Sequence, residues 1–212
     1  MIELPPSFVK ICGVTTTRDA DNVVEAGADA LGLIMATSKR HLALDDAKVL
    51  AEHARGRILL VGVFRDNDDD YIAHAALTLR LDLAQVHGDV SDALLHQLHD
   101  LDVRVMKALA IDSVDFTTFD ESRVDAVLVD GTTPGSGEAH SWEPLRTREF
   151  AVPVVAAGGL TPDNVVGTIR ETGVWGVDTA SGVESSPGVK DPTLVKRFVE
   201  RARQAFSERG ES

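Results

Sequence analysis

Cysteine is nearly absent from this chain, since Cys12 is the only one in 212 residues. No intramolecular disulfide can form, and a structural zinc site built from several thiolates is excluded. A run of about 18 apolar residues, the length that spans a bilayer, is also lacking, and residues 1–8 contain no basic segment followed by a long apolar stretch. We therefore expect a cytoplasmic protein that is neither exported nor embedded in a membrane.

Positive charge is scarce as well. The chain has 21 Lys and Arg against 34 Asp and Glu, which gives a formal net charge of -13. Such a surface repels the phosphate backbone of nucleic acids and anionic lipid headgroups, so both are poor partners. A small anionic ligand would need a local positive pocket. Aromatic residues make up only 5% of the chain, which predicts a core of Val, Leu, Ile and Ala.

What the sequence does contain is one pattern that repeats along its length, a short β-branched apolar run followed by a segment with helical spacing. The length predicts one domain over residues 1–212. The predicted strands are residues 9–14, 30–35, 58–64, 83–87, 103–109, 126–130, 152–157 and 174–178. The predicted helices are residues 18–26, 44–54, 68–79, 91–101, 162–172 and 192–209, with weaker candidates at 114–119 and 142–146.

Alternating strands and helices require parallel strands joined by right-handed crossovers. Two architectures satisfy this, an open doubly wound sheet and a closed barrel, and eight units favour the closed form. We therefore predict the α/β class with a single-domain (β/α)8 TIM barrel. Two helix starts carry local signals, because Thr161 precedes Pro162 and Asp191 precedes Pro192, each an N-cap residue followed by proline in the first turn.

Polar and glycine residues follow nearly every predicted strand. In a barrel these positions meet at the C-terminal mouth, where active sites of this fold lie. The residues concerned are Cys12, Lys39, Arg40, Gln85, His87, Lys107, Asp130, Gly158, Gly159, Asp178, Ser181 and Gly182. We therefore expect a functional site at this mouth.

The last two strands are followed by glycines whose backbone N–H groups are unobstructed. Gly158 and Gly159 follow the seventh strand, and Ser181 and Gly182 follow the eighth. Barrel enzymes commonly bind phosphate between these two loops and a short extra helix, which could begin near Ser181. Either glycine site alone could be a tight turn, but together they predict a phosphate site.

Six stretches of the chain carry distinctive motifs: Lys-Ile-Cys-Gly-Val-Thr at 10–15, Gln-Val-His-Gly at 85–88, Val-Asp at 129–130 with Pro-Gly-Ser-Gly at 134–137, Ala-Gly-Gly-Leu-Thr-Pro-Asp-Asn-Val at 157–165, Ser-Gly-Val-Glu at 181–184 and Pro-Gly-Val-Lys-Asp at 187–191. These motifs resemble those of the phosphoribosylanthranilate isomerase family and follow one another in the family's order. Residues 34–37 depart from the family's aromatic-rich stretch. Ala180 stands where the family often has a second serine.

The resemblance implies a cofactor-free and metal-free Amadori rearrangement of N-(5-phosphoribosyl)anthranilate in tryptophan biosynthesis. It implies that Cys12 is the general base and Asp130 the general acid. A useful basicity near neutral pH asks for a lowered thiol pKa, and Lys10 on the same strand face is a candidate cause. Considered outside these motifs, Cys12 would be interpreted as an inert, small apolar residue, and Asp130 as the first residue of a turn.

Three further residues are predicted to bind the substrate. Arg40 matches the family's arginine, and its guanidinium could hold the anthranilate carboxylate in bidentate fashion. His87 contacts the substrate or, with Gln85, belongs to a supporting hydrogen-bond network at the rim. Asp178 orients either the phosphate loop or a sugar hydroxyl.

Three rival functions were weighed against the resemblance. A metal-dependent pentose-phosphate epimerase would need several His and Asp ligands at strand ends, and only His87 qualifies. A dual-substrate isomerase shared with histidine biosynthesis is expected to carry aspartate in place of Cys12. A catalytically idle phosphate-binding barrel is disfavoured by Cys12 with Asp130. The expected binding partner is a small phosphosugar. We expect a monomer, with a homodimer as the alternative. Residues 131–140 are a candidate lid over the site.

Overall fold

Strands and helices alternate along the whole chain. The computed structural model describes residues 4–131 and 141–210; most of the candidate lid, including the glycine-rich segment 134–137, lies outside them. The barrel strands are β1 Phe8–Cys12, β2 Ala30–Ile34, β3 Leu59–Arg65, β4 Leu83–His87, β5 Arg104–Ala110, β6 Ala126–Asp130, β7 Val154–Ala157 and β8 Gly176–Thr179. The helices are α1 Thr17–Glu25, α2 Leu44–Ala54, α3 Asp69–Leu79, α4 Asp92–Asp100, α5 Val114–Thr118, α6 Glu143–Thr147, α7 Val165–Thr172 and α8 Pro192–Gly210.

The eight strands form one closed parallel barrel in sequence order. The barrel closes where β1 pairs with β8, with Phe8 opposite Gly176 and Lys10 opposite Asp178. The prediction of a (β/α)8 barrel is confirmed. Closure leaves no sheet edge and brings all strand C-termini to one mouth.

The core has two parts, as expected for a filled barrel. Aliphatic residues from helices and strands pack between the two layers. A separate cluster fills the barrel interior and includes Phe8, Val61, Met106 and Leu128. At the bottom, the Phe8 ring stacks on Trp175 with centroids 4.8 Å apart. The core is built from the aliphatic residues that the composition predicted.

Most helix starts are capped by side chains. Asp191 does so for α8, where its Oδ1 accepts from the amides of Thr193 at 2.8 Å and Leu194 at 3.1 Å, as predicted. The predicted start of α7 at residue 162 is wrong, because the helix begins at Val165. Thr161 still marks the start of the turn that precedes the helix, since its Oγ1 accepts from the Asp163 amide at 3.2 Å and its own amide donates to Asn164 Oδ1 at 2.8 Å. These reciprocal contacts resemble a capping box, and residues 162–164 form the turn that leads into α7.

The sequence pattern missed a short β-hairpin after β8. A 3₁₀ turn at Ser181–Val183 leads into an antiparallel hairpin of β9 Glu184–Ser186 and β10 Val189–Lys190. The expected extra turn near Ser181 is therefore confirmed. The hairpin strands are too short and polar to show an apolar alternation. Among the described residues, no helix is long and apolar enough to cross a membrane.

The closing seam predicts a stability difference between two glycine variants. A Cβ on Gly176 would lie 2.8 Å from the Phe8 carbonyl oxygen, whereas a Cβ on the helical Gly167 would meet nothing within 4 Å. We expect Gly176→Ala to lower the free energy of unfolding by about 1–3 kcal/mol through overpacking. Gly167→Ala should raise it by about 0.5–1 kcal/mol. Chemical denaturation measures both, and equal stabilities would contradict the close packing at the seam.

Candidate active site

A cavity of about 340 Å³ opens at the C-terminal mouth of the barrel. This volume lies within the range of small-molecule sites. The ends of β1, β2, β3, β4, β6, β7 and β8 and the loops that follow β2, β7 and β8 line it. The predicted location of the site is therefore the location of a real cavity.

The cavity brings together most of the residues expected at the mouth. The predicted residues that line it are Cys12, Arg40, Gln85, His87, Asp130, Gly158, Gly159, Asp178 and Ser181. Lys39, Lys107 and Gly182 are not among the lining residues. A Cβ on Gly182 would lie 1.8 Å from the Leu160 carbonyl oxygen, so this glycine lets the 3₁₀ turn pack against the loop after β7.

A buried ion pair lies beneath the cavity floor. Lys10 Nζ donates to Asp178 Oδ1 at 3.0 Å across the seam between β1 and β8, and the lysine side chain is fully buried. Burial lowers the pKa of Lys10, but the Asp178 carboxylate and the Cys12 thiolate outweigh this effect and raise the pKa overall. Lys10 therefore stays a cation at neutral pH.

Cys12 ends β1 beside this lysine and is almost fully buried. Burial raises the pKa of the Cys12 thiol, and the attraction of Lys10, which lowers it, does not overcome that effect. The nearby Asp178 carboxylate adds to the rise. The expectation that Lys10 gives a lowered thiol pKa is therefore wrong in its sign, because desolvation of a thiolate outweighs one neighbouring cation here.

Arg40 reaches the cavity but is already paired. Its Nε and Nη2 donate to the two carboxylate oxygens of Glu184 at 2.6 and 2.7 Å. Lys190 Nζ donates to the same carboxylate at 2.9 Å. Burial opposes ionisation of Glu184, but hydrogen bonds from the two cations lower its pKa to about 2. A carboxylate therefore faces Arg40 throughout the neutral range.

His87 takes part in a hydrogen-bond network at the rim. Its Nδ1 lies 3.1 Å from Arg65 Nη2, and its Nε2 lies 3.2 Å from the Gln85 amide nitrogen. Burial and the positive Arg65 lower the pKa of His87 to about 4. The imidazole is therefore uncharged at neutral pH. His87 lines the cavity and also takes part, with Gln85, in the hydrogen-bond network that the sequence analysis gave as one of its two possible roles.

The glycine loop after β7 has the backbone that its residues require. Gly158 and Gly159 have φ values of 95° and 64°, a region that favours glycine. Asn164 Nδ2 donates to the Gly159 carbonyl oxygen at 3.0 Å and fixes the loop against the turn before α7. Both glycines line the cavity opposite the 3₁₀ turn that begins at Ser181.

The departing segment 34–37 forms part of the cavity wall. Ile34, Ala36 and Thr37 line it, whereas Met35 is buried behind them. The aliphatic and small side chains of this segment therefore shape one side of the site. Within residues 4–131 and 141–210, no group of three or more His, Cys, Asp or Glu residues could hold a metal ion.

Sequence reasoning missed three charged residues of the site. Arg65, Glu184 and Lys190 each contact a predicted residue or its loop. Glu184 and Lys190 lie within segments that carried the family resemblance, but spacing alone did not reveal that they meet Arg40. Arg65 is the last residue of β3. It could have been predicted by the same rule that identified the other site residues, namely a polar residue at the end of an apolar strand.

A closed barrel that collects a thiol, a carboxyl group and two glycine-bearing loops around one mouth defines a barrel enzyme for small anionic substrates. The profile described as N-(5'phosphoribosyl)anthranilate (PRA) isomerase matches residues 9–201. N-(5'-phosphoribosyl)anthranilate isomerase of Rhodopseudomonas palustris strain BisA53 is 41% identical over 210 residues, covering 93% of this chain and 96% of that protein. The chain therefore belongs to the phosphoribosylanthranilate isomerase family, the aldose–ketose isomerases of tryptophan biosynthesis.

Solved structures of the family have the same fold. A phosphoribosylanthranilate isomerase in complex with reduced 1-(o-carboxyphenylamino)-1-deoxyribulose 5-phosphate has a TM-score of 0.75 and 29% identity, covering 93% of this chain and 99% of that one. Monomers generated by mutation from the dimeric enzyme of Thermotoga maritima have a TM-score of 0.77 and 30% identity, covering 93% and 98%. The fold and the family therefore agree.

The environment of Cys12 predicts how its thiol titrates. Because Cys12 is the only cysteine, thiolate absorbance in the ultraviolet reports on it alone in a Tyr71→Phe background, which removes the overlapping absorbance of the one tyrosine. We expect a midpoint above the usual thiol pKa. Asp178→Asn should lower the midpoint, because it removes a carboxylate that disfavours the thiolate. A midpoint below the usual value in the unmutated protein, or a rise in the variant, would contradict this description.

Proposed function

We propose that the chain isomerises N-(5-phosphoribosyl)anthranilate to 1-(2-carboxyphenylamino)-1-deoxyribulose 5-phosphate with Cys12 as general base and Asp130 as general acid. The observation that carries this proposal is that both side chains line one cavity from widely separated strands, β1 and β6. The reaction needs a base and an acid that approach the sugar from two sides.

The proposed reaction has two proton transfers. Asp130 donates a proton to the ring oxygen of the sugar, the bond from that oxygen to C1 breaks, and the nitrogen lone pair forms a C1=N double bond. Cys12 then removes the proton from C2, whose electrons form a C1=C2 double bond while the C=N electrons return to nitrogen. The resulting enolamine tautomerises to the ketone. Asp130 regains its proton and Cys12 loses its own by exchange with solvent.

The buried thiol can act as the base only in its deprotonated, thiolate form. Its raised pKa means that a minority of molecules carry the thiolate near neutral pH. A thiolate formed there is correspondingly basic toward the C2 proton. The proposal therefore expects the ionisation of Cys12 to appear in the pH dependence of turnover efficiency.

We assign the phosphate end of the substrate to the loops after β7 and β8. Gly158, Gly159 and Ser181 line the cavity there, and Gly182 follows in the 3₁₀ turn. The positive φ values of the two glycines are ones that residues with a side chain rarely adopt. Backbone N–H groups of these four residues are the proposed phosphate donors.

The remaining contacts are assigned to charged and polar residues of the wall. Arg40, which lines the cavity, binds the anthranilate carboxylate. Asp178 accepts from a sugar hydroxyl while its Oδ1 accepts from Lys10. Neutral His87 contributes a further hydrogen bond to the substrate. The reaction as written uses no cofactor.

Assembly and location are proposed on narrower grounds. We propose that residues 1–212 act as one domain in the cytoplasm and that the protein is a monomer, since the residues assigned to the reaction come from the strands and loops of a single barrel. The alternative is a homodimer, because the similar enzyme of Thermotoga maritima is dimeric. Sedimentation at catalytic concentrations distinguishes the two states.

Substitution of each catalytic residue tests the mechanism. Cys12→Ser introduces a far weaker base of similar size, and Asp130→Asn keeps the shape without the proton. Each should lower turnover by roughly two to four decades, while affinity for the reduced product changes little. Asp120→Asn, on the turn before β6 at the opposite end of the barrel, is the control and should retain full turnover.

The two assignments can fail separately. A folded Cys12→Ser enzyme that binds the reduced product and turns over at nearly the original rate would remove Cys12 as the base. The same outcome for Asp130→Asn would remove the acid. Loss of one limb of the pH profile in each variant is the accompanying expectation.

A further inference from the structure

We propose that Glu184 is a positioning residue that holds one edge of the Arg40 guanidinium and thereby directs the other edge at the substrate carboxylate. This inference rests on the proposed role of Arg40. It adds a residue that lies outside the cavity lining and acts through another side chain.

A guanidinium has five N–H donors, which are arranged in edges that each match a carboxylate. Glu184 accepts from Nε and from one hydrogen of Nη2. The edge that Nη1 forms with the second Nη2 hydrogen is left, and no described residue in 4–131 or 141–210 accepts from it. Arg40 lines the cavity, whereas Glu184 lies behind it. The sequence prediction of bidentate carboxylate binding therefore applies to this remaining edge.

Glu184 is itself held in place. Its side chain is only 5% exposed, and the fully buried Lys190 donates to its Oε1 at 2.9 Å. Lys190 also donates to the Ala180 carbonyl oxygen at 2.9 Å, at the start of the loop proposed to bind phosphate. Burying the charges of Glu184 and Lys190 is costly unless the two groups are well hydrogen-bonded, as they are here.

The β9–β10 hairpin that carries these residues is attached to the loops of the first two strands. Thr15 Oγ1 donates to the Gly188 carbonyl oxygen at 3.0 Å. On the other side, the Arg40 stem passes so close to Gly13 that a Cβ there would lie 2.4 Å from Arg40 Cδ. Arg40 is thus fixed along its stem and at its head.

This arrangement reduces the freedom that Arg40 would lose on binding. A long side chain that is already ordered does not have to be ordered by the ligand, which increases affinity. Lysine could not replace arginine, because one ammonium cannot offer two carboxylate-matched edges. Glu184 therefore contributes to carboxylate recognition without touching the substrate.

The test compares two ligands by calorimetry. One is the reduced product, 1-(2-carboxyphenylamino)-1-deoxyribulose 5-phosphate in reduced form, and the other is the same molecule without the ring carboxyl group. Glu184→Gln should weaken the first by about tenfold, which corresponds to about 1.4 kcal/mol, and leave the second unchanged. Glu184→Asp keeps the charge but is one methylene shorter, so it should show the same selective loss.

A double-variant comparison shows whether Glu184 acts through Arg40. Arg40→Ala should weaken only the ligand with the carboxyl group, and adding Glu184→Gln to Arg40→Ala should weaken it no further. Glu121→Gln is the matched control, because Glu121 pairs with Arg148 at 2.8 Å and is similarly buried at the other end of the barrel. It should leave both affinities unchanged.

The outcomes separate this inference from the function on which it rests. If Arg40→Ala weakens both ligands equally, the carboxylate assignment fails. If Arg40→Ala is selective but Glu184→Gln has no effect, or weakens both ligands alike, the positioning role is overturned. An additional loss in the double variant would also overturn it, since Glu184 would then act independently of Arg40.

Discussion

The Lys10–Asp178 ion pair is the interaction on which the site depends. It spans the seam where β1 meets β8, so the pairing that closes the barrel also joins two strands that end at the cavity. A buried lysine and a buried carboxylate are each unfavourable alone, and each stabilises the other only in this register. The seam therefore fixes Cys12 relative to the loop proposed to bind phosphate. It also supplies the opposing charges that, together with burial, set the thiol pKa.

Because the chain has a net charge of -13, binding the proposed substrate, which has a phosphate group and a carboxylate, requires a favourable local environment. The chain provides it by placing cations around the mouth. Arg40 and Arg65 line the cavity, while Lys10 and Lys190 lie directly behind it, each paired with a carboxylate. Such pairing orders the cations and keeps the desolvation cost tolerable, and the backbone amides of the glycine loops add donors without adding charge.

The sequence predicted the barrel and the location of its site because both follow from short-range patterns. Eight apolar runs at regular spacing require parallel pairing, and the residues after them must meet at one mouth. What spacing could not reveal were contacts between residues far apart in the chain, such as Arg40 with Glu184 and Lys10 with Asp178. The thiol pKa was misjudged for a related reason. The charge of Lys10 is visible in the sequence, whereas the burial that outweighs it is a property of the packed barrel. The predicted start of α7 lay three residues early because residues 162–164 form a turn before the helix, although Thr161 caps that turn as its sequence signal indicated.

The central claim is that one cavity holds the substrate with its phosphate at the glycine loops and its sugar between Cys12 and Asp130. The most direct measurement is a crystal structure of this chain with the reduced product bound. The account predicts phosphate oxygens on the backbone amides around Gly159 and Gly182. It also predicts sugar C2 against the Cys12 sulfur and the hydroxyl derived from the ring oxygen against Asp130. A ligand in the reverse direction, with phosphate on Arg40, or one whose sugar has Cys12 and Asp130 on the same side, would contradict it.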